Sequence, residues 1–300
     1  MKNDEPTVGR RVLLRTAVFA GVAAAGLLIS GNESGTPGTP GTPGTPGPPG
    51  QGGAPGAAAG APGSLAGRMP EKSYRLRPMT AEAPLRPPAV KPAVRTRPIL
   101  ELPAGADTAS AMVLTFDDGP DPRYTPAILD TLSRYGVRAM FFVCGEMATE
   151  HRDLVRRIAA EGHVIGNHTW THPLIPKLGR PALASEIGRT SDVVQQVIGE
   201  APQWFRAPYG AWNRAAFEIG AELGMEPLAW TVDSLDWEEP GVTTIIGRVL
   251  RGAGPRAIVL SHDAGGNRSQ TVQALSAYLP QLLARGYRMT LPTLPARPPR

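Results

Sequence analysis

Two histidines and two neighbouring carboxylates of this chain have spacings that suit metal binding. His168 and His172, two of the five histidines, lie four residues apart in NHTWTHP. This spacing lets two imidazoles converge on one face of a helical turn and bind one metal ion. The adjacent carboxylates Asp117 and Asp118, in TFDDGP, offer a third ligand. Two histidines and one carboxylate that leave positions open for water are typical of a catalytic metal site.

The paired carboxylates also predict a division of labour. Adjacent carboxylates repel each other unless a cation or a shared proton lies between them. One aspartate would hold the metal, while the other would take a proton from the water that attacks a polarised carbonyl. His262 is the candidate general acid, with Asp236 to raise its pKa and fix its tautomer. Arg206 would orient the base carboxylate through a charge-assisted hydrogen bond.

Strand and helix patterns alternate along the part of the chain that carries these residues. The predicted strands are 111–116, 138–143, 163–167, the start of 204–210, 225–230, 257–262 and 287–291. The predicted helices are 125–136, 151–161, 182–199, 215–224, 243–252 and 271–285. This repeat predicts an α/β fold with a parallel sheet and crossover helices, and the number of units favours a barrel. In such folds the chemistry lies at the carboxyl ends of the strands, where the candidate residues fall.

Five motifs, in order, resemble those of the polysaccharide deacetylase family, carbohydrate esterase family 4. They are TFDDG at 115–119, HTWTH at 168–172, RAPYG at 206–210, DSLDW at 233–237 and LSH at 260–262. The resemblance covers about residues 110–291. It implies an irregular (β/α) barrel with fewer than eight units, about seven, and a divalent metal, usually zinc.

The first two motifs carry the implied base and metal ligands. By resemblance, Asp117 is the base and Asp118 is a metal ligand, and HTWTH supplies His168 and His172 as the other two ligands. In the third motif, the resemblance implies that Arg206 steadies the base. These assignments agree with the chemistry that the spacing of the residues suggests.

The remaining motif positions have implied roles at the substrate. The backbone N–H of Tyr209 would stabilise the oxyanion, and Asp236 would tune the general acid His262. By the same resemblance, Trp237 lines the groove and Leu260 shapes the acetyl pocket. The implied activity is removal of N-acetyl groups from an amino-sugar polymer, with release of acetate.

The first third of the chain predicts an export signal followed by a linker. Arg10, Arg11 and Arg15 precede an apolar stretch over 16–30, which suits a signal peptide or a short N-terminal anchor. Residues 12–30 would then provide a membrane tether. We therefore predict residues 1–30 as signal or anchor, 31–104 as a Gly/Pro/Ala-rich disordered linker and 105–296 as the catalytic domain. The expected location is outside the cytoplasm, secreted or anchored at the outer face of the membrane or cell wall.

Net charge is divided unevenly between the two parts. Residues 1–100 hold 12 of the 31 Lys and Arg but 5 of the 26 Asp and Glu, so they carry +7 and the rest carries −2. The basic groups do not lie on the part that forms a rigid surface, and we expect no nucleic-acid partner. Cys144, the single cysteine, is predicted to be a core hydrophobe. The sequence leaves the oligomeric state open.

Several alternatives remain open at this point. Peptidoglycan N-acetylglucosamine is the polymer that fits best, with chitin oligomers close behind. Acetylated xylan is a third candidate, since the same site can cleave esters. A non-catalytic wall-binding module and a non-haem iron oxygenase are the competing classes, because two histidines and a carboxylate also bind Fe(II). Trp212 is equally suited to sugar stacking and to packing, and Asp121 to capping the next helix.

Overall fold

The computed structural model describes residues 91–295. Its strands are β1 Ala111–Asp117, β2 Met140–Val143, β3 Val164–Asn167, β4 Trp204–Phe205, β5 Glu226–Pro227, β6 Val232–Asp233, β7 Ile258–His262 and β8 Arg288–Met289. Its helices are α1 Thr125–Arg134, α2 Gly145–Glu150, α3 Arg152–Ala160, α4 Arg180–Ile198, α5 Arg214–Glu222, α6 Val242–Gly252 and α7 Ser269–Ala284. The signal or anchor predicted at 1–30 and most of the predicted linker lie outside the described residues.

The strands form one parallel sheet that curves into an incomplete barrel. The order is β5-β4-β3-β2-β1-β7-β6, and β8 pairs with the start of β1. Within residues 91–295, the two end strands β5 and β6 are not paired with each other, so the sheet does not close. The predicted irregular α/β barrel with fewer than eight units is confirmed.

Strand β1 lies inside the sheet and pairs with β2, β7 and β8. All seven of its residues are buried, as the continuous apolar run AMVLTF predicts for a strand covered on both faces. Apolar stripes of the helices pack against the sheet, for example Ile128, Leu129 and Leu132 of α1. Because all strands are parallel, their carboxyl ends lie at one edge of the barrel, and this edge carries the site.

The predicted strand 225–230 is a strand only at Glu226–Pro227, β5, and β6 lies beyond the predicted range. The middle of that range is diverted from the sheet ladder because the guanidinium of Arg206 donates hydrogen bonds to the carbonyls of Leu228 and Ala229. The chain resumes strand geometry only at β6. This interruption is a consequence of burying an arginine inside the barrel, since a buried guanidinium needs acceptors for its five N–H groups.

The helix predicted over 151–161 is α3, and a separate helix, α2, precedes it. His151 has φ −117° and ψ 50°, outside the helical region, and it separates α2 from α3. Helix α2 is absent from our prediction, because GEMATE has only two buried residues, Gly145 and Ala148, and therefore lacks a clear apolar period.

Residues 99–102, within the predicted linker, are bonded to the sheet. Ile99 donates to the Pro227 carbonyl and pairs with Leu228 at the edge of β5, while the N–H of Leu102 donates to the Arg256 carbonyl just before β7. The side chain of Leu102 is buried. We call residues 99–102 the strap. Between residues 91 and 295, no helix is long and apolar enough to cross a membrane.

Candidate active site

The ends of three strands deliver the first charged groups to one place. Strand register places Asp117, the last residue of β1, beside His262, the last residue of β7. Asp118 follows with φ 78°, a left-handed conformation that turns the chain at the strand end. His168 follows β3 directly, two strands from β1 on the other side. Sequence positions 145 residues apart thus meet because parallel strands share one carboxyl edge.

Asp118, His168 and His172 form a cluster that suits a metal ion. Oδ1 of Asp118 lies 3.5 Å from Nε2 of His168 and 3.3 Å from Nε2 of His172. One ligand atom from each residue lies within 4.8 Å of the others. The predicted helical turn between the histidines is wrong, because residues 168–174 form a loop. Left-handed φ values of 67° at Thr169 and 57° at His172 bring the rings together instead.

The electrostatics of the cluster fit a divalent cation. Oδ1 of Asp118 is buried and has no hydrogen-bond partner, which is costly unless a cation satisfies it. Burial would raise the pKa of Asp118, but the neighbouring imidazoles outweigh it and hold the pKa well below its ordinary value. Burial, and then repulsion from His168, lowers the pKa of His172, which keeps that imidazole neutral for ligation.

The protein also fixes the tautomer of His168. Its Nδ1 lies 2.9 Å from the carbonyl oxygen of Arg206, so Nδ1–H donates and Nε2 remains available as a ligand. The ring is almost fully buried. A ligand held in this way needs little reorganisation to bind a metal.

Asp117 is held by Arg206 rather than by the metal cluster. The Nη1 of Arg206 donates to Oδ1 of Asp117 and to Oγ1 of Thr115, each at 2.7 Å. Arg206 is completely buried, and its guanidinium carbon lies 4.1 Å from the ring centroid of Phe142. The other oxygen, Oδ2 of Asp117, lies 3.7 Å from Nε2 of His168 and is turned towards the metal cluster.

His262 and Asp236 form a second charged pair at the same edge of the barrel. Nδ1 of His262 lies 2.7 Å from Oδ1 of Asp236, whose Oδ2 accepts from the His262 N–H and from Oγ1 of Thr271. Burial disfavours the imidazolium, but Asp236 outweighs it and raises the pKa of His262 to about 9. The ring is therefore protonated at neutral pH, as a general acid requires.

The three predicted substrate residues surround this centre at different depths. Tyr209 is 68% exposed and has φ 59°, and its ring centroid lies 4.6 Å from that of His172. Trp237 is 44% exposed, whereas Leu260 is buried within β7. Two exposed aromatic rings near an otherwise buried polar centre are suited to stacking against sugars.

Trp212 packs against other aromatic rings, and Asp121 stabilises a turn. The indole of Trp212 stacks on Phe217 with centroids 5.1 Å apart and contacts Phe205 edge-on, so packing accounts for it. Asp121 is buried and accepts hydrogen bonds from the N–H and the guanidinium of Arg123. It therefore holds the turn that leads into α1, in place of a simple helix cap.

Four polar residues at the site are missing from our sequence-based assignments. Thr115 accepts a hydrogen bond from Arg206, which holds Asp117, and Thr271 donates directly to Asp236. A single threonine in a sequence gives only a weak signal of such a role. Asp263 is buried, and burial followed by the charges of Asp118 and Asp117 raises its pKa to about 7. Glu186 on α4 accepts hydrogen bonds from the backbone of the loop that carries His168 and His172. Nothing in the local sequence distinguishes it from a surface glutamate.

Comparison with known proteins places this arrangement in a family. The sequence profile of the polysaccharide deacetylase family matches residues 104–228. A chitooligosaccharide deacetylase of Rhizobium leguminosarum bv. trifolii is 40% identical over 195 residues, which cover 61% of this chain and 90% of that protein. Asp236 and His262 lie beyond the profile match, and the fold brings them to the same edge.

Solved structures agree with the sequence relatives. The Bc1960 peptidoglycan N-acetylglucosamine deacetylase is 36% identical with a TM-score of 0.61, covering 64% of this chain and 89% of that one. Wild-type BA3943 of Bacillus anthracis, a family 4 pseudoenzyme, is 28% identical with a TM-score of 0.60, covering 65% and 67%. The chain therefore belongs to the polysaccharide deacetylase family, and its relatives named as chitooligosaccharide and peptidoglycan N-acetylglucosamine deacetylases are hydrolases of amide bonds.

Proposed function

We propose that this protein is a metal-dependent N-deacetylase of an amino-sugar polymer outside the cytoplasm. One observation carries the proposal: an Asp118–His168–His172 cluster lies at the same strand edge as a buried carboxylate, Asp117, and a protonated imidazole, His262. That combination supplies a base and an acid beside a site for a Lewis acid, as hydrolysis of an amide requires.

Asp118, His168 and His172 would hold the metal, and zinc suits their two nitrogens and one oxygen. When bound, the ion supplies polarisation of the acetyl carbonyl and lowers the pKa of a water molecule. Asp117 takes the proton from the attacking water, because Arg206 leaves its Oδ2 pointing towards the cluster. The backbone N–H of Tyr209, in the loop after β4, is our candidate donor to the oxyanion.

His262 completes the reaction by protonating the departing amine. Its Nδ1–H is held by Asp236, so the proton on Nε2 is the one available to the leaving group. Without this proton the sugar would have to leave as an amide anion, which is a very poor leaving group. A non-haem iron oxygenase would have no use for this acid–base pair, and a wall-binding module would need neither group.

The relatives and the predicted domain organisation both indicate an amino-sugar polymer as the substrate. The related proteins include deacetylases of chitooligosaccharides and of peptidoglycan N-acetylglucosamine. We favour peptidoglycan N-acetylglucosamine, because residues 1–30 predict export and residues 31–90 have the composition of a spacer that would let a tethered domain reach the wall. Chitin oligomers are the second candidate.

Acetate release from three polymers tests the substrate class. The full chain, loaded with zinc, is incubated with peptidoglycan, chitin oligomers and acetylated xylan, with Asp117→Asn as the blank. We expect acetate from the two amino-sugar polymers, with about 10²- to 10⁴-fold slower release by the variant. Release from acetylated xylan alone would replace the N-deacetylase with an ester hydrolase.

A further inference from the structure

The loop that carries both histidine ligands is bonded to helix α4 by one side chain. Oε2 of Glu186 accepts hydrogen bonds from the N–H groups of Trp170 and Thr171, each at 2.8 Å. Its other oxygen, Oε1, accepts from the Thr171 hydroxyl at 3.0 Å. A single carboxylate thus binds the two residues that immediately precede His172.

The rest of the loop is fixed on its other side. The N–H groups of Gly145 and Glu146 at the start of α2 donate to the carbonyls of Thr169 and Trp170. The Trp170 ring lies against Gly145, where a Cβ would come within 2.2 Å of it, and the guanidinium of Arg189 stacks 3.8 Å from its centroid. The loop therefore has backbone partners on α2, but the N–H groups of residues 170 and 171 depend on Glu186.

This dependence matters because the ligand conformation is strained. His172 is a non-glycine residue with φ 57°, a backbone region that persists only where the surroundings fix it. Thr171 is its neighbour, so the Glu186 bonds hold the two peptide groups that lead directly into His172. Without them, two N–H groups would lose their acceptor and the loop would relax towards other conformations.

We propose that Glu186 is a positioning residue that fixes His172 as a metal ligand. The inference rests on the metal site of the proposed function, and it adds a residue that touches neither the metal nor the substrate. Residues that orient metal ligands typically change metal affinity about 10- to 100-fold when they are removed. The effect of Glu186 should be local, because Leu183 and Ile187 anchor α4 in the core independently.

The test compares zinc affinity in variants of the full chain. Metal-free protein is titrated with zinc against a chromophoric chelator, for wild type, Glu186→Ala, Glu186→Gln and Asp192→Ala. Asp192 is an exposed carboxylate on the same helix and serves as the matched control. We expect about 10- to 100-fold weaker zinc binding for the alanine variant. The glutamine variant should bind nearly as the wild type does, since one amide oxygen can accept both N–H groups.

Two further readouts separate positioning from general destabilisation. The metal-free Glu186→Ala protein should melt within about 3 °C of wild type. Its kcat should recover at saturating zinc, while the zinc concentration for half-maximal activity rises. If the alanine variant does not fold, Glu186→Asp replaces it, because the shorter side chain withdraws the carboxylate while keeping its charge.

The outcomes distinguish this inference from the proposed function. Wild-type zinc affinity in a folded Glu186→Ala or Glu186→Asp protein overturns the positioning role and leaves the metal site intact. Failure of the wild type itself to bind zinc, with His168→Ala giving the same result, overturns the metal site and this inference together.

Discussion

Asp117 illustrates, at the scale of single residues, how the chain separates the proposed base from the proposed metal ligands. Two adjacent carboxylates follow β1, yet one is bound by a buried guanidinium and the other faces two imidazoles. The neighbours of each carboxylate therefore set its role. Arg206 also lies in contact with Phe142, where water cannot compete for its hydrogen bonds.

Replacing Asp117 should remove the base and keep the metal. Asp117→Asn should lower kcat about 10²- to 10⁴-fold, the usual contribution of a general base. Zinc affinity should stay close to that of wild type, because Asp118, His168 and His172 are intact. Steady-state acetate release and chelator competition measure the two quantities. A variant that keeps most of its kcat would remove Asp117 from the mechanism.

The pH dependence should report on the His262–Asp236 pair. Asp236 raises the pKa of His262 to about 9, so activity should fall as pH rises through that value and the imidazolium loses its proton. In Asp236→Asn, burial dominates and lowers the pKa of His262, so the alkaline limb of the pH–activity profile moves to lower pH. Glu238→Gln, an exposed carboxylate in the same loop, is the control. An alkaline limb unmoved in Asp236→Asn would contradict the pairing.

Asp263 should make the metal-free protein less stable at higher pH. Its pKa is about 7 in the folded chain and close to 3.9 when unfolded, so its contribution is complete below pH 4 and is lost as pH rises through 7. Melting temperatures of wild type and Asp263→Asn, compared at pH 5 and pH 8, should show a larger fall for the wild type. Equal falls would indicate that the carboxyl is ionised throughout.

At the scale of elements, the strap connects the end strand β5 to the start of β7. It bonds with residues around β5 and with Arg256 before β7, and it buries Leu102 in the core cluster that both strands contact. The fold thus uses residues preceding β1 to link two strands that do not pair with each other.

Removing the buried side chain of the strap should destabilise the domain. Leu102→Ala should lower the free energy of unfolding by about 2 to 5 kcal/mol, the usual cost of truncating a buried leucine. Leu100→Ala, two residues earlier and 50% exposed, should change it by less than about 0.5 kcal/mol. Urea denaturation of both variants measures the difference. Equal stabilities would mean that the strap does not contribute to the core.

The elements also show where sequence patterns are informative. Strands β1, β2, β3 and β7 and helices α1 and α4 follow from apolar runs and helical periodicity, because burial on a regular surface imposes those patterns. The break between β5 and β6 does not follow, since Arg206 needs the carbonyls of Leu228 and Ala229, 22 and 23 positions away, as hydrogen-bond acceptors. The separate helix α2 is too short to have a period.

At the scale of the whole molecule, topology brings the motifs together. Five motifs spread over residues 115–262 converge because β1 lies between β2 and β7 in a parallel sheet. Sequence alone predicted that charged candidate residues lie at strand ends, and the structure brings Asp117, Asp118, His168, Arg206 and His262 to one edge of the barrel. It could not predict Glu186, because the partner of that side chain is a loop backbone, and no residue pattern reports such a contact.

The central claim is that amide hydrolysis depends on a metal held by Asp118, His168 and His172. The most direct measurement is acetate release from N-acetylglucosamine oligomers by the full chain as prepared, after chelation and after zinc is restored. We expect activity to be lost on chelation and regained with about one zinc ion per chain, and His172→Ala to stay inactive after zinc is added back at that ratio. Full activity in the chelated protein, with zinc shown to be absent, would contradict the account.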